Sequence, residues 1–468
     1  MIFCPKRVQK TEGSFLIPNT VYALAHPCLC KPGLGELWQG FTLGASTLIS
    51  EERNGFIFSV GEAPALSPGD YDYGISIKPN GIFIGAKSTQ ALIHGFMTLL
   101  DRFKAIEIDG ETRIAVDCAE IRDSASIKER MVHFCVFPET ELWEIRRFLR
   151  FAATLKYTHV ILEFWGTLKL DCLDELAWPD GFTKEEIKPL LQEATDLGLE
   201  IVPMFNHWGH ASLSRAMHGK HVVLDQNPAL QTYFSDDGWC WDIKKPKVRT
   251  LLRNIRKELC ELCGNGAYFH IGCDEAYGFD FSGESMDFIC GFLNEIAAEA
   301  EADGRRIIVW GDMFLAKHDH YDSANAYTCN APSPKEEQYM LARLDRRLIL
   351  ADWQYDATRC PVETALAFKE ADFDCLLCPW DRGTAQLSAC LETARRESLF
   401  GIIHTTWHTL SSGMPYVLLC AQKSFDGNPP LSLLAAHGRT AALLRRVMPA
   451  NKNYEKAGWS KRQVSFKW

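Results

Sequence analysis

From about residue 125 to residue 405, short β-branched or aromatic runs alternate with longer helical patterns, eight times over. The cores of the runs are Met131–Val136, His159–Phe164, Glu200–Phe205, Tyr268–Ile271, Ile307–Trp310, Leu348–Ala351, Cys375–Cys378 and Gly401–Thr405. Strands separated by helices are joined by crossovers rather than hairpins, so they pair in parallel under a layer of helices. Eight such units predict a (β/α)8 barrel, and about 300 residues suit one with insertions.

The residues before this stretch follow another pattern. Tyr73–Lys78 and Ile82–Ala86 alternate in polarity around Pro79-Asn80-Gly81, which is hairpin chemistry. Leu92, Phe96, Leu99, Leu100 and Phe103 then recur at helical spacing, predicting a helix over Thr89–Phe103. The reading is an α/β chain of three parts: a small α+β domain over 1–122, the barrel over 123–425, and a C-terminal helical extension over 426–468.

Charge excludes some partners. Against 60 acids the chain has 50 Lys and Arg, a net charge of −10, so no basic surface for nucleic acid or anionic lipid is expected. The one basic cluster, Arg439 to Lys467, reads as a solvated terminal face. The polar start Met1-Ile-Phe-Cys-Pro-Lys-Arg is unlike a secretory signal, and the uncharged stretch Ser398–Gln422 carries His404, His408 and Pro415, which suits no membrane span. With 17 cysteines, an odd number, a reducing cytoplasmic setting is expected. Cys260/Cys263 and Cys375/Cys378 read as core packing on a helix and a strand rather than as a metal site.

In barrels of this kind chemistry sits at the C-terminal strand ends. From the second strand on, every end but the fourth carries a tryptophan: Trp165, Trp208, Trp310, Trp353, Trp380 and Trp407. One such residue usually packs a rim. A ring of them framed by carboxylates suits a sugar, whose C–H faces stack on aromatic rings while its hydroxyls need polar partners. The fourth strand ends in His270-Ile-Gly-Cys-Asp274-Glu275. A bare Asp-Glu pair more often caps a helix or lies in solvent. At a barrel strand end, two adjacent carboxylates cannot both ionise cheaply, so one should hold its proton and serve as a general acid.

That six-residue segment resembles the His-x-Gly-Gly/Ala-Asp-Glu signature of family 20 glycoside hydrolases, the exo-β-N-acetylhexosaminidases, and is closest to their hexosaminidase D-like branch. Further likenesses are Lys128-Glu-Arg130, Pro203 followed by Gly209-His210, Trp310-Gly-Asp312, and the hairpin and helix at 73–103. The resemblance spans about 70 to 410. It implies substrate-assisted catalysis with retention. Glu275 would protonate the departing oxygen and then act as base on water, while Asp274 would hold the acetamide N–H so that the substrate's own carbonyl attacks the anomeric carbon. It further implies pocket walls of Trp310, Trp353 and Trp407, Arg130 on the ring hydroxyls, Tyr355 with Asp352 at the acetamide, and His210 nearby. No cofactor or metal is implied. The expected partner is an oligosaccharide or glycoconjugate ending in an N-acetylhexosamine.

Departures fall on the far side of the sugar ring. Met204 follows Pro203 where the family carries an acid, Trp407-His-Thr409 replaces a Trp-x-Glu, and Glu163 stands where a strand-two His/Asp pattern is usual. Two other readings remain: a metal-dependent barrel hydrolase using His207, His210 and His270, and a sugar-binding protein without turnover.

Overall fold

The computed structural model describes residues 2–24, 31–49, 56–60, 70–212, 224, 227–407, 410–425 and 431–448. Eight parallel strands close into a barrel: Glu129–Cys135, His159–Glu163, Glu200–Met204, Tyr268–His270, Arg306–Trp310, Ile349–Asp352, Asp374–Leu377 and Gly401–His404. Closure is made by the last strand on the first, with Gly401 opposite Glu129 and His404 opposite Val132. Each strand coincides with an expected run, because apolar residues buried on both faces leave few other ways to satisfy the backbone.

Alternation divides the strand residues between two environments. Met131, Ile161, Val202, Ile308, Ile349, Leu376 and Ile403 fill the barrel interior. Their neighbours Val132, Val160, Ile307, Leu350 and Ile402 face the surrounding helices. Helix starts are capped where the sequence offers an oxygen: the Thr183 hydroxyl accepts from the Glu186 N–H, and Glu186 reaches back in a capping box.

The preceding domain is an eight-stranded mixed sheet. Tyr73–Lys78 and Gly81–Ala86 form the expected antiparallel hairpin, with Tyr73 opposite Ala86. The helix runs Thr89–Asp101, capped by the Ser88 hydroxyl. Residues Arg7–Leu16 join the same sheet by pairing with Glu111–Asp123. The turn at Asp109-Gly110 connects Lys104–Ile108 to that long strand.

One buried cation ties this domain to the barrel. Lys156, wholly buried, places Nζ 3.4 Å from Asp123 and 3.2 Å from the Tyr73 hydroxyl, between the rings of Phe3 and Phe425. Burial pulls its pKa down to about 8 against the opposing charge of Asp123. Helix Leu433–Val447 closes over the junction, its Val447 carbonyl accepting from Arg150. Of the expected basic cluster, Arg439, Arg445 and Arg446 lie on this helix and the remainder lies outside the described residues. Among the described residues no helix is long and apolar enough to cross a membrane.

Candidate active site

The fourth barrel strand ends in a tight left-handed turn. Gly272, Cys273 and Glu275 have φ of 65°, 77° and 48°. At Gly272 a Cβ would stand 1.9 Å from the Asn206 side-chain oxygen, and at Gly209 another would stand 1.9 Å from the Asp274 carbonyl. Both positions need glycine, since the third and fourth strand-end loops pack closely together there. This contact sets Asp274 and Glu275 side by side under His210.

The two carboxylates differ in environment. Asp274 is buried, with Oδ2 3.5 Å from His210 Nε2. Burial first, with the charges of Glu275 and Glu163, pushes its pKa up to about 6 against the pull of His210. The Glu275 carboxyl is 21% exposed at the mouth, 3.0 Å from His210 Nε2, and accepts the Tyr277 hydroxyl. Trp239 lies tilted against His210 with ring centres 4.5 Å apart and donates its indole N–H to the Glu275 carbonyl at 2.6 Å.

A third carboxylate, which the sequence reading left out of the site, stands behind them. Asp312 accepts from the Glu275 backbone N–H at 2.9 Å, Asn330 Nδ2 at 2.7 Å and Trp353 Nε1 at 3.1 Å. Burial, then the charge of Asp274, raises its pKa to about 7. Its signal in the sequence is the carboxylate of Trp310-Gly-Asp312 at a barrel strand end.

Aromatic residues from the fifth to eighth strands form one connected wall. Trp353 and Tyr355 have ring centres 5.3 Å apart, Tyr355 and Trp380 5.0 Å, and Trp310 and Trp407 5.8 Å. Trp407 donates its indole N–H to the Tyr355 hydroxyl at 2.7 Å. Trp310 has no exposed surface and forms floor rather than wall, its ring 4.3 Å from His270. Beneath Trp407 lies His133, 4.7 Å away, with its Nε2 2.9 Å from Glu163. Trp208 lies outside this wall, packed edge-on against Phe279. The side chain of Trp165, and residues His408 and Thr409, lie outside the described residues.

Two expected site residues are placed elsewhere. Arg130 starts the first strand at the opposite end of the barrel, where its guanidinium donates to the carbonyls of Ile127, Lys128 and Lys156 and rests on Phe425. Its neighbour Met131 faces the interior, so alternation turns Arg130 out and away from any sugar. Asp352 likewise points outward: its carboxylate accepts from Gln354 Nε2 at 2.7 Å and the Thr364 hydroxyl at 2.6 Å, and burial raises its pKa to about 6. It braces the helix Glu363–Glu370 instead of lining the pocket.

The three histidines of the metal reading do not meet. His207 Nδ1 donates to the Phe205 carbonyl at 2.6 Å, and His270 Nδ1 accepts the Gly272 N–H at 3.0 Å. Among the described residues, the sets that bring three ligand atoms together are His210 with Asp274 and Glu275, and His133 with Cys135 and Glu163. In the second set Glu163 Oε2 already accepts from the Cys135 thiol at 3.0 Å.

A closed parallel barrel with a carboxylate pair at its fourth strand end and a tryptophan-rich mouth has the build of a barrel glycoside hydrolase. Residues 166–359 match the model of the glycosyl hydrolase family 20 catalytic domain. A curated relative, the lacto-N-biosidase of Bifidobacterium bifidum, is 23% identical over 250 residues, which is 50% of this chain and 20% of that protein. The chain thus spans about a fifth of that relative's length. The family 20 β-N-acetylhexosaminidase of Streptomyces coelicolor A3(2) superposes with a TM-score of 0.68 at 16% identity, covering 96% of each chain. The family 20 exo-β-N-acetylglucosaminidase of Vibrio harveyi, in complex with N-acetylglucosamine, gives 0.67 at 15% identity, with 94% of this chain and 76% of that one covered. At such identity these structures are alike in fold.

Proposed function

We propose that this protein is an exo-acting β-N-acetylhexosaminidase, removing terminal β-linked GlcNAc or GalNAc from oligosaccharides or glycoconjugates. The observation that carries the reading is the unequal carboxylate pair. Glu275 lies open at the mouth within reach of a glycosidic oxygen, while Asp274 lies buried on the side of Tyr355, whose own pKa is raised by burial and, among lesser causes, by the charge of Asp274. Such a pair suits two tasks. Glu275 gives a proton to the leaving oxygen. Asp274 orients the acetamide through its N–H, and the acetamide oxygen attacks the anomeric carbon to form an oxazolinium. Water, deprotonated by Glu275, then opens that ring with net retention. Trp353 and Trp407 offer faces for the sugar, and Tyr355 a hydroxyl for the acetamide oxygen. No cofactor takes part. The seventeen cysteines favour work in a reducing cytoplasm.

The test is release of nitrophenol from aryl β-GlcNAc, β-GalNAc and β-glucoside, with anomeric configuration followed by NMR. Cleavage confined to the acetamido sugars, with the β-anomer formed first, is expected. Equal cleavage of the glucoside would remove substrate assistance, and no cleavage would leave a sugar-binding protein.

A further inference from the structure

A cleft of about 600 Å³ opens beside the loop that carries Glu275. The size falls within the roughly 300–1,000 Å³ usual for small-ligand sites. Its aromatic lining is Trp208, Trp241, Tyr277, Phe279 and Phe288, from the loops after the third and fourth barrel strands and from the helix Gly283–Ala302. Tyr277 connects it to the catalytic centre. Its hydroxyl donates to Glu275, its ring lines the cleft, and it is one of the large apolar residues left exposed, at 39%.

One tyrosine ring therefore separates the acid from the cleft. The atom that Glu275 protonates belongs to the leaving sugar, so the leaving portion must lie against Glu275 and extend away from the aromatic wall at Asp274. We infer that this cleft binds that leaving portion, one or two sugars on the reducing side of the scissile bond, and that it favours neutral or amine-bearing sugars over anionic ones. The inference rests on the hydrolase reading above.

The charge of the cleft gives the selectivity. Asp236, Asp237, Asp242 and Asp280 line it against Lys244 alone. Hydrogen bonds from the Ser235 hydroxyl and the Trp239 N–H hold the Asp237 carboxyl below its ordinary range, and the Ser282 N–H does the same for Asp280. Lys245, 2.8 Å from Asp242, offsets one of these charges. The remainder attracts an ammonium, as on a glucosamine unit, and repels a carboxylate or sulfate. Apolar rings supply faces for the sugar's C–H groups.

The experiment compares four substrates: aryl β-GlcNAc, and disaccharides in which GlcNAc is β-linked to GlcNAc, to glucosamine or to glucuronic acid. The proteins are wild type, Asp236→Asn/Asp280→Asn and Asp236→Lys/Asp280→Lys, all changes being at exposed positions. Wild type is expected to show the lowest KM on the glucosamine aglycone and the highest on the glucuronic one, with steps of roughly two- to fivefold per charge at low salt. The lysine variant inverts that order, the asparagine variant narrows it, and salt shrinks it, while aryl β-GlcNAc hydrolysis is unchanged. A lysine variant that keeps the wild-type order on all three disaccharides, or an asparagine variant that keeps the wild-type steps undiminished, overturns the inference, as does an equal loss on the aryl substrate. Wild type that cleaves the aryl sugar but does not discriminate removes this inference alone; wild type that cleaves nothing removes the hydrolase reading with it.

Discussion

The backbone N–H of Glu275 donates to the carboxylate of Asp312 at 2.9 Å, so the peptide that carries the candidate acid is held by a second buried acid from the next strand. The same carboxylate accepts from the Trp353 indole, joining the acid's loop to the aromatic wall. Asp312→Ala would leave the left-handed Glu275 peptide without its acceptor. A shift of the acid by about 1 Å is expected to lower kcat roughly a hundredfold, with a smaller change in KM. A variant with wild-type kcat would show that the loop holds itself.

Glu275→Gln keeps shape and removes the acidic carboxyl proton. The expected loss in kcat on aryl β-GlcNAc is about 10² to 10⁴. Substrates with better leaving groups should lose less, because they need less protonation. A uniform loss across leaving groups would argue against an acid role.

The activity of the wild type should rise with pH through about 6, where Asp274 gives up its proton and can accept from the acetamide. Below that point the active fraction falls tenfold per pH unit. Asp274→Asn should lose this limb along with most of its activity, and an unchanged limb in the variant would assign it to another group.

Stability has the opposite sign. Asp274 and Asp312 hold protons to about 6 and about 7 in the fold, above the carboxylate value near 4 expected of the unfolded chain. Their favourable share is complete below pH 4 and is lost as pH rises through 6 to 7, since ionisation in the core is then forced. The Tm of Asp274→Asn relative to wild type should therefore climb between pH 4 and 7. A flat difference by scanning calorimetry would show that the Asp274 carboxyl is not raised.

Arg130→Met separates a structural arginine from a sugar-binding one. Three carbonyls lose their donors, at a cost of about 3 kcal/mol in stability. KM on aryl β-GlcNAc should be unchanged in the folded fraction. A raised KM at full stability would return Arg130 to the substrate.

The sequence by itself determined the barrel, because eight apolar runs spaced by helical patterns leave the backbone one economical closure. It also pointed to Asp274-Glu275 as the candidate site, since strand ends in such a barrel point one way. Rotation about each strand was a different matter. Arg130 and Asp352 lie one residue away from interior positions, and a period of two sends them to the opposite environment. Asp312 and Trp239 reach Glu275 along the barrel or across loops, and only the folded sheet and its loops make them its neighbours. Sequence spacing sets what each strand can offer, whereas the cross-strand distances that shift a pKa or hold a peptide exist only once the first strand has met the eighth.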